Sequence, residues 1–151
     1  MPGNTLETYA FHVVPAGDII IPAGKTALLN KWLVEAGSFD IKTGIFTAPA
    51  PGKYCFQATV NLPNLDTNQL ETDDPCAPSL QVQVNRKVKF DIQPTLQTKT
   101  KYLQIVLQVQ GWVQLKTGDE VTLCLDNPTN GALIVSSIPG RSFWCAWRFA
   151  V

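Results

Sequence analysis

The fold class predicted by this sequence is all-β, a sandwich or barrel of many short strands, and three observations predict it. Apolar residues recur with a period of two along most of the chain. Eleven prolines and ten glycines break the pattern at short intervals. No stretch shows the capped three-to-four apolar spacing of an amphipathic helix. Half-buried strands separated by turns satisfy all three.

The elements follow in order. Ala27 to Ala36, bracketed by Gly24 and Gly37, reads as one strand, because its apolar residues form no single helical stripe. Leu80, Val82 and Val84 alternate with Gln81 and Gln83. Asn85-Arg86-Lys87 then turns the chain and Val88 and Phe90 resume the apolar side, which predicts a hairpin. Leu103, Ile105, Leu107 and Val109 alternate with Gln104, Val106, Gln108 and Gln110. Val113 and Leu115 precede Thr117-Gly118-Asp119, and Val121, Leu123 and Leu125 follow it, which predicts a second hairpin. In the last strand Phe143, Cys145, Trp147 and Phe149 fall on one face. Trp144, Ala146 and Ala150 fall on the other, with Arg148 the single charge. A strand apolar on both faces must be covered on both. One cover is the partner sheet. With no helix to supply the other, it comes from more of this chain or from another subunit.

The bulk properties narrow the function classes. A chain of 151 residues suits one domain, residues 1–151, large enough to bury a core without staples. Twelve basic residues balance twelve acidic ones, so no electrostatic attraction to nucleic acid or to an anionic membrane is expected. No apolar run approaches the roughly 20 residues of a membrane span, so no membrane insertion is expected. Met1 to Glu7 lacks a basic stretch followed by an apolar one, so the protein stays where it is made or is part of a longer precursor. Asn127-Pro128-Thr129 is blocked as a glycosylation acceptor by its proline. The cysteines are Cys55, Cys76, Cys124 and Cys145, with no C-x-x-C spacing for a zinc ribbon or thioredoxin-like site. Cys76 sits in a loop downstream of Cys55, so a Cys55–Cys76 bridge and four unpaired thiols both remain open.

No catalytic residues, metal or cofactor are assigned. His12 is the only histidine, so a histidine metal triad cannot form, and any Ser-His-Asp or Cys-His site would have to use it. Asp73 and Asp74 are adjacent loop acids, more often solvated than paired for glycosidic chemistry. The longest irregular stretch, Asn61 to Ser79, holds Asp66, Glu71, Asp73 and Asp74; a second, Gln93 to Lys101, carries Lys99 and Lys101. Long loops in compact domains are usually functional or mobile, so these six residues are the candidate ligand contacts. Trp32, Trp112, Trp144 and Trp147 suit core or subunit-interface packing better than a sugar platform.

The segment Gly37-Ser38-Phe39-Asp40-Ile41-Lys42-Thr43-Gly44-Ile45-Phe46-Thr47-Ala48-Pro49-Ala50-Pro51-Gly52-Lys53-Tyr54-Cys55-Phe56 closely resembles the signature of the complement C1q-like globular head, in the C1q/tumour necrosis factor superfamily. Gly44 and Gly52 would serve turns, Pro49 and Pro51 stiffen the link between strands, and Tyr54 and Phe56 share one side. Ala10-Phe11-His12-Val13 looks like the family's first strand, Leu107 to Leu125 like its penultimate hairpin, and Ser142-Phe143 like the start of its last strand. Cys145 stands where the family usually has glycine. Thr98-Lys99-Thr100-Lys101 replaces the acids with which some members hold calcium, so that site is not carried over. The family's collagen-like stalk is absent from this sequence.

The resemblance implies a ten-stranded jelly-roll β-sandwich assembled as a homotrimer. Tyr54, Phe56, Trp144, Trp147 and Phe149 would line its interface. The implied function is a non-enzymatic recognition head, extracellular or on a particle surface, that engages a protein or glycan through its loops. The alternative is a structural or attachment module, the knob of a viral, phage or spore-surface fibre.

Overall fold

The computed structural model describes residues 9–63, 78–92 and 105–151. Among them every regular element is a strand. The first sheet has the order β4 (Trp32–Gly37), β1 (Phe11–Pro15), β12 (Phe143–Ala150), β6 (Gly52–Leu62), β9 (Ile105–Leu115). The second has the order β3 (Lys25–Leu28), β10 (Glu120–Asn127), β7 (Ser79–Val84), β8 (Lys87–Ile92), with the two-residue β5 (Phe46–Thr47) also paired to β10. These ten strands form the expected jelly roll. A ribbon of β2 (Ile19–Ile21) and β11 (Leu133–Val135) is added to it. All pairings are antiparallel.

Two expectations about connections are corrected. Ala27 to Ala36 is two strands, because β3 pairs with β10 in one sheet and β4 with β1 in the other. The crossing residues are anchored: Leu29 is buried, its N–H donates to the Leu123 carbonyl at 2.9 Å, and the Trp32 indole donates to the Leu29 carbonyl at 2.6 Å. The segment around Gly118 is an arch and not a hairpin. β9 pairs with β6, whereas β10 pairs with β7, β3 and β5. Alternation shows only that each strand buries one side, which an arch across the core satisfies as well as a hairpin. The β7–β8 hairpin forms as expected, turning at Asn85 and Arg86.

The core lies between the sheets. Phe11, Tyr54, Phe56, Ala58, Val60, Leu107, Trp144 and Ala146 point inward from the first sheet, and Phe46, Leu80, Val82, Val121, Leu123 and Leu125 meet them. Phe11 is the hub of an aromatic cluster, 4.8 Å from Phe46, 4.9 Å from Phe39 and 5.3 Å from Trp144 between ring centroids. Phe56 stacks on Trp144 at 5.4 Å. Truncating either of those last two to alanine would cost about 3–5 kcal/mol.

The central motif is local hydrogen-bond chemistry. Asp40 Oδ1 accepts from the Lys42 N–H at 2.9 Å and the Gly44 N–H donates to the Asp40 carbonyl at 2.9 Å, closing a turn that ends in the Asp40–Ile45 bridge. The Tyr54 hydroxyl donates to the Ala50 carbonyl at 2.7 Å, so the proline-stiffened link is tied to a ring buried in the core. Gly52 does not serve a turn: it opens β6 beneath Arg148 and Ala150, where a Cβ would collide.

Candidate functional site

Period-two alternation divides the first sheet into two faces. Tyr54 and Phe56 on β6, and Trp144 and Ala146 on β12, take the inward side, each at most 1% exposed. Tyr54, Phe56 and Trp144, expected at a subunit interface, are instead core residues of this chain, because its own second sheet covers them. Their neighbours Cys55, Gln57, Cys145 and Trp147 take the opposite side.

That opposite side is open, and it is aromatic. Register places Trp147 opposite Cys55, and Cys55 opposite Trp112, so one row crosses β12, β6 and β9. A bulge between Arg148 and Ala150 turns the end of β12, where Phe149 meets Trp112 edge-on at 6.2 Å. Trp112 is 60% exposed and Phe149 51%. Lys53 Nζ sits 5.6 Å from the Trp112 ring centroid. Towards β1 the strip continues: Tyr9 meets Trp147 at 6.2 Å and His12 at 5.4 Å, and His12 stacks on Phe143 at 5.7 Å and 12°.

Charge on this face is sparse. His12 Nδ1 lies 3.1 Å from Glu35 Oε1, and Lys53 is occupied by the indole. The polar remainder is neutral: Gln57 and Thr59 on β6 oppose Gln110 and Gln108 on β9. Aromatic enrichment with charge depletion is the composition of an interface core. An open apolar strip of this kind marks an association surface.

The Cys145 thiol on the same face is not activated for chemistry. Burial, with the neighbouring Cys55 thiol as a lesser cause, pushes Cys145 up to about 11. Burial also raises Cys124, in the second sheet. A reactive cysteine needs the opposite shift. Cys55, Cys124 and Cys145 are all free, while Cys76 lies outside the described residues. Among the described residues no cluster of histidine, cysteine and acid side chains has a metal-binding arrangement.

Of the predicted site residues, the structure brings Trp147 and Phe149 to the open face. Asp66, Glu71, Asp73, Asp74, Lys99 and Lys101 lie outside the described residues. The sequence reading missed Tyr9 and Cys55 at this face, set Phe143 on the same side of the last strand as Trp147 without counting it as a site residue, and placed Trp112 only generally. Parity held the signal for Trp112: it shares its side of β9 with Gln110 and Gln114, and it is the one ring of that strand.

No protein-family model matches the chain, and no curated protein does. Solved structures do match. Three crystal structures of murine APRIL, at pH 8.5, 5.0 and 8.0, superpose with TM-scores of 0.60, 0.59 and 0.61. Each is 16% identical, with the alignment covering 92% of this chain and 97% of that one. At that identity the likeness speaks to the fold alone. With the strand order above, it makes this chain an all-β jelly-roll sandwich with the fold of those structures.

Proposed function

We propose that this chain is a C1q-like head that works by binding. It assembles as a homotrimer through the open face of its first sheet and engages a protein or glycan ligand through its loops, on a cell or particle exterior. The observation that carries this reading is the two-faced β12. Its inward side is sealed in the sandwich, while Phe143 and Trp147 stay half-buried on the other side and Phe149 is exposed against Trp112. A copy of the same chain is the cover that closed symmetry makes available on every subunit. Three identical heads convert three weak loop contacts into one strong attachment. The raised Cys145 thiol on this face fits recognition better than thiol catalysis.

The test is multi-angle light scattering at micromolar concentration. The expected mass is three times the 16.6 kDa of the chain. Trp147→Asp should elute as a folded monomer, since a buried tryptophan anchor at an interface is worth about 2 kcal/mol or more and an unpaired carboxylate there costs further. A wild-type monomer, or a Trp147→Asp variant that stays trimeric, overturns the assembly reading. A glycan array and a surface-protein screen with the trimer then address the ligand.

A further inference from the structure

The open face carries one acid–base pair on its β1 side. His12 is 24% exposed and Glu35 53%, with 3.1 Å between Nδ1 and Oε1. The imidazole is fixed between Phe143, parallel at 5.7 Å, and Tyr9, tilted at 5.4 Å. Register places His12 directly opposite Cys145 on β12 and Ala36 on β4. The titratable groups facing it among the described residues are therefore few. They are Glu35 from β4, the Tyr9 phenol from the segment before β1, and the Cys145 thiol from β12, which is neutral. Lys53 stands two strands away on β6, over the Trp112 ring.

From this geometry we infer that the His12–Glu35 pair makes self-association through this face depend on pH, strengthening it as the imidazole gains a proton. The inference rests on the assembly proposed above. With His12 protonated, imidazolium and carboxylate cancel, and the β1 side of the face closes without net charge. With His12 neutral, each subunit brings an uncompensated Glu35 carboxylate to a surface from which a sister removes water, and that costs free energy. Closing therefore takes up protons. By linkage, the stabilisation is present while the imidazole holds its proton and is lost as rising pH removes it.

The experiment is dilution of fluorescently labelled full-length chain, reading the trimer dissociation constant from pH 5.5 to 8.5, with circular dichroism at each pH. Wild type should dissociate at least ten-fold more readily at pH 8 than at pH 5.8. His12→Gln should be flat over this range. Glu35→Gln should invert the trend, because protonation then adds an uncompensated charge. A wild-type trimer with flat pH dependence, or a His12→Gln trimer that keeps the wild-type trend, overturns the inference and leaves the assembly standing. A wild-type chain monomeric at every pH overturns both. If either variant fails to fold, the wild-type profile decides alone.

Discussion

At the scale of single residues, alternation shows which side chains share a face but not which face meets the core. Tyr54, Phe56 and Trp144 were legible as one-sided aromatic sets, and so were Trp147 and Phe149. What separates them is the position of the second sheet, and that depends on chain crossings with no local signature. Close backbone approaches are equally invisible in sequence. Gly37 reads there as a bracket. In the fold its φ is +76°, and a Cβ would lie 2.3 Å from the Ala10 carbonyl oxygen, which also accepts the Ser38 N–H at 3.0 Å. Gly118 has φ +91° but open space around it. Gly37→Ala should therefore cost about 3 kcal/mol, from left-handed strain plus backbone collision, and Gly118→Ala only about 1 kcal/mol from strain alone. Urea unfolding of both variants checks this. Equal losses would show that the Ala10 contact does not matter.

At the scale of elements, the period of the pattern correctly identified strands, and the β7–β8 hairpin was found because its turn is local. The arch at Gly118 was misread because its defining contacts are distant. The Asn85 side chain donates to Asp119 Oδ1 at 3.1 Å and accepts from the Glu120 N–H at 2.9 Å. Asp119 Oδ2 accepts from the Lys116 N–H at 2.8 Å, and the Ala48 N–H reaches the Asp119 carbonyl at 2.9 Å. One asparagine thus clips the hairpin to the arch. The hairpin itself carries strain, since Asn85 and Arg86 both have positive φ, 51° and 68°. Asparagine tolerates that conformation and also supplies the clip, whereas arginine does neither. Arg86→Gly should stabilise the fold by about 1 kcal/mol, seen as a higher melting temperature with an unchanged far-ultraviolet spectrum. Asn85→Gly should not, because it loses the clip.

At the scale of the molecule, three aspartates hold turns together. Asp18 accepts from the Ser137 hydroxyl at 2.7 Å and from its N–H at 2.9 Å, joining the segment before β2 to the one after β11. Hydrogen bonds to Ser137, Lys42 and Lys116 hold the carboxyls of Asp18, Asp40 and Asp119, in that order, below the ordinary 3.8. A depressed value means stability that is complete above about pH 4 and drains away as pH falls through the folded-state values. The melting temperature should drop as pH falls below about 4. The Asp18→Asn/Asp40→Asn/Asp119→Asn variant should fall less steeply there. The sandwich and its open face were legible in the sequence because burial and alternation are encoded residue by residue. The assignment of the aromatic residues to the two sides was not, since it is fixed only when strands far apart in the chain come together.

The position of β12 constrains how the protein is made. β12, which is translated after every other strand described, is the central one of its sheet, slotted between β1 and β6. A nascent chain up to residue 142 has two strand edges held apart by an empty lane, with Phe11 and Phe56 lacking the Trp144 ring that packs on both. Closure of the first sheet must therefore wait for β12 to clear the exit tunnel. Until then those unpaired edges are the part of the chain most in need of a chaperone's shelter.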